Sequence, residues 1–184
     1  MTATFLGNIT NIFDCEKLIS QVQKSQGELH YSNIDLPHDN YEYENHLQLK
    51  QMSRDAGYDN NDSMRFIHYK PGQDFDTEFV DIFCKFVNAK PLVVFVSEIT
   101  PGKCAPWHWD IDQFELENVA KGELVRYHVH LSKPAPGHVF IIDDQVFYNE
   151  SQGNTYQWHN RKSWHAGTNC GMSTKYLFAF KGYK

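Results

Sequence analysis

The chain has 184 residues, of which 41% are hydrophobic and 15% aromatic, and this composition predicts one ordered domain over residues 1–184 rather than a disordered chain. The formal net charge of −6 disfavours a nucleic acid as the main partner. No apolar run reaches membrane-spanning length and the first residues lack the layout of a signal peptide, so we expect a cytoplasmic protein without membrane contact.

The first half of the domain, residues 1–90, is predicted to form a layer of helices and loops. Asp14 can cap a helix that runs through residues 16–22, where the apolar side chains form one stripe. Residues 25–62 are polar and weakly periodic, which predicts long loops. A second helix is predicted at residues 74–88, because phenylalanine and isoleucine recur there at spacings of three and four.

The second half, residues 91–184, is predicted to form a β core on which the helices pack. Residues 92–99 are a continuous apolar run, and residues 123–131 alternate between two kinds of side chain. Many short strands separated by Gly, Pro, Asn and Asp predict a mainly-β sandwich or small barrel. The further strands are predicted at residues 137–142, 145–148, 154–158, 163–168 and 174–181.

The strand predicted at residues 123–131 has two different faces. Arg126, His128 and His130 share one face with Leu124, whereas the other face is apolar or aromatic. If the apolar face packs on the helices or on a second sheet, the polar face lines a cavity, where an arginine needs an anionic partner. Antiparallel sheets also commonly expose a polar face to water, so the sequence leaves both interpretations open.

The triplet His108-Trp109-Asp110 and the distant His165 together supply two imidazoles and one carboxylate. Residues i and i+2 of a strand point to the same face, so His108 and Asp110 can bind one ion together. This ligand set is typical of the facial triad that holds a catalytic non-haem Fe(II) and leaves coordination positions open. Two histidines and a carboxylate also suit zinc or manganese.

A longer series of motifs resembles the aspartyl/asparaginyl β-hydroxylase branch of the Fe(II)- and 2-oxoglutarate-dependent oxygenases. The resemblance covers roughly residues 92–181 and implies a double-stranded β-helix, which is a cupin-like jelly roll, with iron and 2-oxoglutarate bound inside it. The motifs that carry it are Ser97-Glu98-Ile99-Thr100-Pro101-Gly102, Pro106-Trp107-His108, Arg126-Tyr127-His128, and His165 with Lys175 ten residues later.

The resemblance also implies a role for individual residues around the co-substrate. 2-Oxoglutarate is a dianion, and a buried dianion needs cations and hydrogen-bond donors at both ends. The implied roles are iron ligation by His108 and His165, contact with the carboxylate nearer the metal by Arg126 and His128, and contact with the far carboxylate by Ser97 and Lys175.

Two residues depart from the pattern of that branch. Its animal members place a glycine where this chain has Asp110. Asp110 moves the chain toward the commoner triad of the wider superfamily. Asp110 is therefore a third candidate metal ligand and catalytic residue beside His108 and His165. The cation at the far carboxylate is usually arginine, whereas this chain has Lys175. The wider superfamily is therefore a firmer expectation than the branch.

The implied activity is that of a dioxygenase that uses Fe(II), 2-oxoglutarate and O₂ to hydroxylate an unactivated C–H bond. The expected substrate is an Asp, Asn or Pro residue of a protein or peptide, or a small molecule. Two alternatives stay open: a cupin metalloenzyme of another reaction class, with His128 or His130 as an extra ligand, and a non-enzymatic, metal-stabilised jelly-roll module for binding or structure. A monomer and a homodimer fit the sequence equally.

Overall fold

The computed structural model describes residues 3–25, 28–29, 47, 51, 55, 65–69, 75–108, 122–158 and 163–184. In this part of the chain, α1 (Cys15–Lys24) and α2 (Thr77–Val87) accompany eleven strands. The strands are β1 (Thr4–Asn8), β2 (Glu28–Leu29), β3 (Arg65–His68), β4 (Lys90–Ile99), β5 (Cys104–His108), β6 (Leu124–His130), β7 (His138–Ile142), β8 (Gln145–Tyr148), β9 (Asn154–Trp158), β10 (His165–Asn169) and β11 (Lys175–Tyr183).

The strands form two antiparallel sheets. The large sheet has the order β1-β9-β6-β11-β4-β3-β2, and the small sheet has the order β5-β10-β7-β8. The longest pairing joins β4 to β11, with Ser97 opposite Leu177 and Ile99 opposite Lys175. All seven strands expected between residues 91 and 184 are present within a few residues of their predicted bounds.

Helix α1 forms where the sequence predicts it. The Asp14 carboxylate accepts a hydrogen bond of 2.9 Å from the backbone N–H of Lys17, which satisfies one of the free donors of the first turn. Leu18 and Val22 lie on the buried side of the helix. No helix in the described part of the chain is long and apolar enough to cross a membrane.

Helix α2 is shorter than the predicted span of residues 74–88. It begins after Asp76 and ends at Val87, where Asn88 adopts a left-handed conformation with φ of 50°. Asparagine tolerates this conformation better than most residues, so it closes the helix before Pro91 is reached.

The helices cover one face of the large sheet and form the main hydrophobic core with it. Phe83 of α2 is fully buried, and its ring centroid lies 5.0 Å from that of Phe178 and 5.2 Å from that of Phe180. Phe13, just before α1, packs on Phe178 at 5.5 Å. The expected packing of the N-terminal helices on one sheet is therefore confirmed.

The opposite face of the large sheet meets the small sheet. Phe140, Ile142 and Phe147 of the small sheet form one buried cluster with Trp158 and Leu177 of the large sheet. The molecule thus has a helix layer, a large sheet and a small sheet, and the space between the sheets is lined by the inner face of each.

The expectation that residues 1–90 hold helices and loops alone was wrong, because β1, β2 and β3 all belong to the large sheet. These strands have five, two and four residues. Strand β1 is mostly exposed and contains Gly7, so it lacks the alternation that marks a half-buried strand. Such short strands at the ends of a sheet depend on pairing with distant partners, which periodicity does not reveal.

Candidate active site

His108 and His165 lie side by side on neighbouring strands. β5 and β10 pair antiparallel with His165 directly opposite His108, and the centroids of the two rings are 4.2 Å apart. Nitrogen ligands bind metal ions at about 2.0–2.1 Å, so two rings at this separation can share one ion. The backbone pairing, and not a flexible loop, brings these two predicted ligands together.

His165 is held in the orientation that suits a ligand. Its Nδ1 lies 3.1 Å from the carbonyl oxygen of Ser163, and a carbonyl oxygen only accepts hydrogen bonds. In the neutral ring Nδ1 therefore carries the proton and Nε2 carries the lone pair. Metal-binding histidines commonly donate their second N–H to a backbone carbonyl in this way.

The third predicted ligand, Asp110, lies outside the described residues, as does Trp109 between the two ligands of the triplet. Among the residues that the structure describes, no three or more His, Cys, Asp or Glu side chains are grouped closely enough to hold an ion. His128 and His130 therefore do not join the His108–His165 pair as extra ligands in this part of the chain.

The polar face of β6 is buried between the sheets and is not exposed to water. Arg126, His128 and His130 are 1%, 2% and 7% exposed. The other face of the strand, with Val125 and Tyr127, packs in the helix-covered core. Of the two interpretations of this strand, the structure therefore supports the one in which the polar face lines the interior.

The predicted co-substrate residues lie along the inner face of the large sheet. Lys175 is at one end, and the register of β11 with β6 places Arg126 opposite Lys181 at the other end. Lys181 follows Lys175 by six residues, and six residues of a strand span about 20 Å, so the backbones of Arg126 and Lys175 are about that far apart. Ser97 is opposite Leu177 on β4 and is thus a diagonal neighbour of Lys175 on the same face.

Contacts of two aromatic residues show that the histidine pair lies between Lys175 and Arg126, which mark the two ends of the inner face. The Phe140 ring lies 4.7 Å from the His128 ring, 6.4 Å from the His165 ring and 5.5 Å from the Lys175 ammonium. The Trp158 ring lies 4.8 Å from His165 and 5.6 Å from the Arg126 guanidinium carbon. Lys175 and Arg126 therefore approach the histidine pair from opposite sides.

Lys175 is a buried cation that has no carboxylate partner among the described residues. It is 2% exposed, and its ammonium donates a hydrogen bond to the Val139 carbonyl. Burial lowers the pKa of Lys175 from 10.5 to about 7, because the charged form loses its hydration. An anion that binds beside it would replace that hydration and restore the charge.

The middle of the inner face holds hydrogen-bonding groups that the described residues do not satisfy. Neither ring nitrogen of His128 has a hydrogen-bond partner among them, and neither do Nε2 of His130 and Nε1 of Trp158. Burial, with smaller effects from nearby positive charges, lowers the pKa of His128 well below its usual range and that of His130 to about 3, so both rings are neutral. Buried polar atoms without partners are rare in proteins, and these atoms are available to hydrogen-bond a polar group placed between the sheets.

Sequence reasoning did not single out Trp158, Phe140 or Ser163. The one available signal was the position of Ser163 two residues before His165. The tryptophans that flank the ligands in sequence behave differently: Trp107 and Trp164 stack at 6.1 Å with an interplanar angle of 12°, and Trp107 is 40% exposed. They form a stacked aromatic pair that is adjacent to the two histidines in sequence and is not part of the buried core.

Comparison with known proteins gives a likeness of fold. No family model and no curated protein matches this chain. Among solved structures, AviO1 from Streptomyces viridochromogenes is 12% identical, with 99% of this chain and 89% of that chain covered and a TM-score of 0.52. The collagen prolyl hydroxylase of Paramecium bursaria Chlorella virus-1, solved as a 2-oxoglutarate complex, is 16% identical over 66% of this chain and 80% of its own, with a TM-score of 0.49.

Cupin domains also occur among the structural neighbours. The cupin domain of Schizosaccharomyces pombe Cnp3 is 9% identical, with 66% of this chain and 61% of that chain covered and a TM-score of 0.40. The two facing antiparallel sheets confirm the predicted mainly-β jelly-roll fold, and the likeness to AviO1 concerns that fold alone. Identities this low concern the fold, and the chemistry rests on the residues of this chain.

Proposed function

We propose that this protein is an Fe(II)- and 2-oxoglutarate-dependent dioxygenase that hydroxylates an unactivated C–H bond. The observation that carries the proposal is the pairing of two histidines at one point of the interior with a buried cation, Lys175, a short distance away. A 2-oxo diacid has a chelating 2-oxo acid group at one end and a carboxylate at the other, and it matches both features.

The distance between the two features supports a diacid of this size. Gly167 follows His165 by two residues on β10, so its backbone lies about 7 Å further along the strand. A Cβ built on Gly167 would be 3.8 Å from the Lys175 ammonium nitrogen. A five-carbon chain that binds a metal at His108 and His165 is therefore long enough to present its far carboxylate to Lys175.

The residues present fit the metal and the co-substrate. His108 and His165, with Asp110 as the proposed third ligand, would hold the ion, and the bound ion with 2-oxoglutarate and O₂ supplies the oxidising chemistry that yields succinate, CO₂ and the hydroxylated product. Lys175 and its neighbour Ser97 would hold the far carboxylate. Arg126, on the other side of the histidine pair, and His128, in the middle of the inner face, would contact the near carboxylate.

The substrate is proposed in broader terms. An Asp, Asn or Pro residue in a protein or peptide is the first choice, because the motif order resembles the aspartyl/asparaginyl β-hydroxylase branch. A small molecule is the second choice.

The first test is an anaerobic titration of the Fe(II)-loaded protein with 2-oxoglutarate, followed by visible absorption. We expect a metal-to-ligand charge-transfer band that needs both components and that is lost in His165→Ala and in Lys175→Ala at matched concentrations. Lys133→Ala is the matched control, because the Lys133 side chain is 74% exposed. Metal binding without such a band in the wild type would contradict the proposal.

Asp110 is tested separately by Asp110→Ala with a metal-binding assay. We expect weaker but still measurable metal binding, because the resembled branch includes members without this acid. Loss of a group that only orients a ligand costs about 10- to 100-fold in metal affinity, and loss of a ligand is expected to cost at least as much. Unchanged metal affinity and activity would mean that Asp110 is not a ligand.

The same observations disfavour the two alternatives. A cupin enzyme with extra histidine ligands would bring His128 or His130 to the metal, but the described residues group neither with His108 and His165. A structural module has no use for a lysine and an arginine that are both buried beside the histidine pair. Fe(II) binding with no effect of 2-oxoglutarate would revive either alternative.

A further inference from the structure

Gly167 occupies a position where the backbone does not require a glycine. It lies in the middle of β10, which is an inner strand of the small sheet, with Phe140 opposite on β7 and Ala105 opposite on β5. Its φ is not in the left-handed region, unlike that of Gly102, Gly137 and three others. Glycine in a strand interior is less stable than alanine, so its presence calls for another reason.

Close backbone packing is not that reason. A Cβ built on Gly171 would lie 1.9 Å from the Pro136 carbonyl oxygen, and one on Gly182 would lie 2.2 Å from the Lys90 carbonyl oxygen. A Cβ on Gly167 would meet only the ends of side chains, namely Ile99 Cδ1 at 3.2 Å, Phe140 Cδ2 at 3.6 Å and Lys175 Nζ at 3.8 Å. An alanine at residue 167 is thus compatible with the fold after a small shift of Ile99.

The register between β10 and β5 shifts between His165 and Gly167, but the extra residue of this bulge lies on β5, so the bulge does not itself require a glycine on β10. A further reason for a strand glycine is the close approach of a ligand. Residues 165, 167 and 169 of β10 are buried and point between the sheets, whereas residues 166 and 168 are half-buried on the outer side. Gly167 therefore lies on the inner face between His165 and the Lys175 ammonium. A ligand that touches both must pass over the Cα atom of Gly167.

We propose that Gly167 is a specificity-determining residue, whose missing side chain leaves the passage by which a 2-oxo diacid reaches from the histidine pair to Lys175. This inference rests on the proposed function and extends it to a residue that contacts the co-substrate chain. A methyl group at residue 167 narrows the passage for a diacid. It leaves room for a 2-oxo acid such as pyruvate, which has no far carboxylate to place.

The test compares wild type with Gly167→Ala, using isothermal titration calorimetry of the Mn(II)-loaded protein under anaerobic conditions. We expect 2-oxoglutarate to bind about 10- to 200-fold more weakly to Gly167→Ala, because one added methyl-sized group changes affinity by about this factor in a closely fitting pocket. The affinities for Mn(II) and for pyruvate should stay unchanged. Ala166→Ser is the matched control, because it adds one atom to the outer face of the same strand.

A further variant separates exclusion of the ligand from crowding of Ile99. Ile99→Val removes the Cδ1 atom that a new methyl group would meet at 3.2 Å. If the new methyl group excludes the diacid directly, the double variant Gly167→Ala/Ile99→Val still binds 2-oxoglutarate weakly. If the double variant regains wild-type affinity, the loss came from displaced Ile99, and the inference is overturned.

The outcomes also separate this inference from the proposed function. If Gly167→Ala binds 2-oxoglutarate as tightly as the wild type does, the proposed role of Gly167 is overturned and the proposed function still stands. Wild type that binds Mn(II) but not 2-oxoglutarate would overturn the proposed function, and the inference would fall with it.

Discussion

The two faces of the large sheet are both buried, yet they differ in how their side chains are satisfied. Toward the helices, residues such as Val125, Tyr127 and Phe178 pack in a cluster dominated by apolar side chains. Toward the small sheet, the alternate positions hold His128 and Lys175, and their polar atoms find few partners among the described residues. Successive residues of the same strands therefore lie in an apolar core on one face and in a polar interior on the other.

This difference shows that burial alone does not identify a core. An apolar side chain contributes to stability simply by leaving water, whereas a buried cation or imidazole reduces stability unless a partner compensates it. The inner face therefore carries a free-energy cost in the absence of a ligand, which the helix-covered face must offset. Substitutions on the two faces should thus have opposite effects on stability and on binding.

The largest expected effect on stability is at the helix-covered face. Phe83→Ala removes a fully buried ring that contacts Phe178 and Phe180, and we expect a loss of about 3–5 kcal/mol in the free energy of unfolding, measured by urea denaturation. Phe86→Ala is the control on the same helix, since Phe86 is 37% exposed and should cost less. Equal losses in the two variants would contradict the assignment of this core.

The same experiment distinguishes the two faces in a second way. At a temperature where Phe83→Ala is still folded, its affinities for metal and for 2-oxoglutarate should equal those of the wild type, because α2 lies on the far side of the large sheet from the histidine pair. A weakened affinity would mean that the helix layer also shapes the interior between the sheets.

Lys175→Met, on the inner face, should have the opposite effect to Phe83→Ala: it should keep stability and lose ligand affinity. Methionine has a similar length and no charge to desolvate, so the variant should be at least as stable as the wild type at pH 7 while it loses 2-oxoglutarate binding. Lys133→Met, at an exposed site, should change neither property. Marked destabilisation by Lys175→Met would show that the ammonium is satisfied within the folded protein.

The pH dependence of stability tests the same residue without a ligand. The pKa of Lys175 is lowered from 10.5 to about 7, so between these values the unfolded chain holds a proton that the folded chain lacks. Wild-type stability should therefore rise as the pH increases across this window and be lowest near and below pH 7. Each pKa unit corresponds to about 1.4 kcal/mol, so urea denaturation at several pH values resolves the rise, which should be absent in Lys175→Met.

The sequence predicted the apolar and polar faces of residues 123–131 correctly, because a period of two is a local property of a strand. It did not decide whether the polar face was buried, since that depends on the small sheet, whose β7 and β10 lie beyond β6 in the chain. The pairing of His108 with His165 was expected from a motif, but its register arises from strands that the motif does not describe. Asp110 lies outside the described residues and stays a prediction.

Other parts of the site follow from contacts between distant segments and left no sequence pattern. Trp158 reaches His165 on the next strand and also Arg126, which is far from it in the chain, and Phe140 reaches His128 on the preceding strand and also the distant Lys175. Gly167 carried a weak signal, because a glycine in a strand is unusual, but the sequence does not say which atoms a side chain would meet there. Only the assembled sheets give these residues a role.

The smallest expected effect is again on the helix side and concerns a cap and not a core. Asp14→Ala removes the hydrogen bond from the Lys17 backbone N–H, and we expect a loss of about 1 kcal/mol in the free energy of unfolding. Asp76 occupies the same position before α2 but makes no capping hydrogen bond; its carboxylate instead accepts a hydrogen bond from Gln21 and pairs with Lys17, so Asp76→Ala tests a contact between the helices and not a cap. Neither substitution should alter metal or 2-oxoglutarate affinity in calorimetry, because α1 and α2 pack on the face of the large sheet that is turned away from the small sheet.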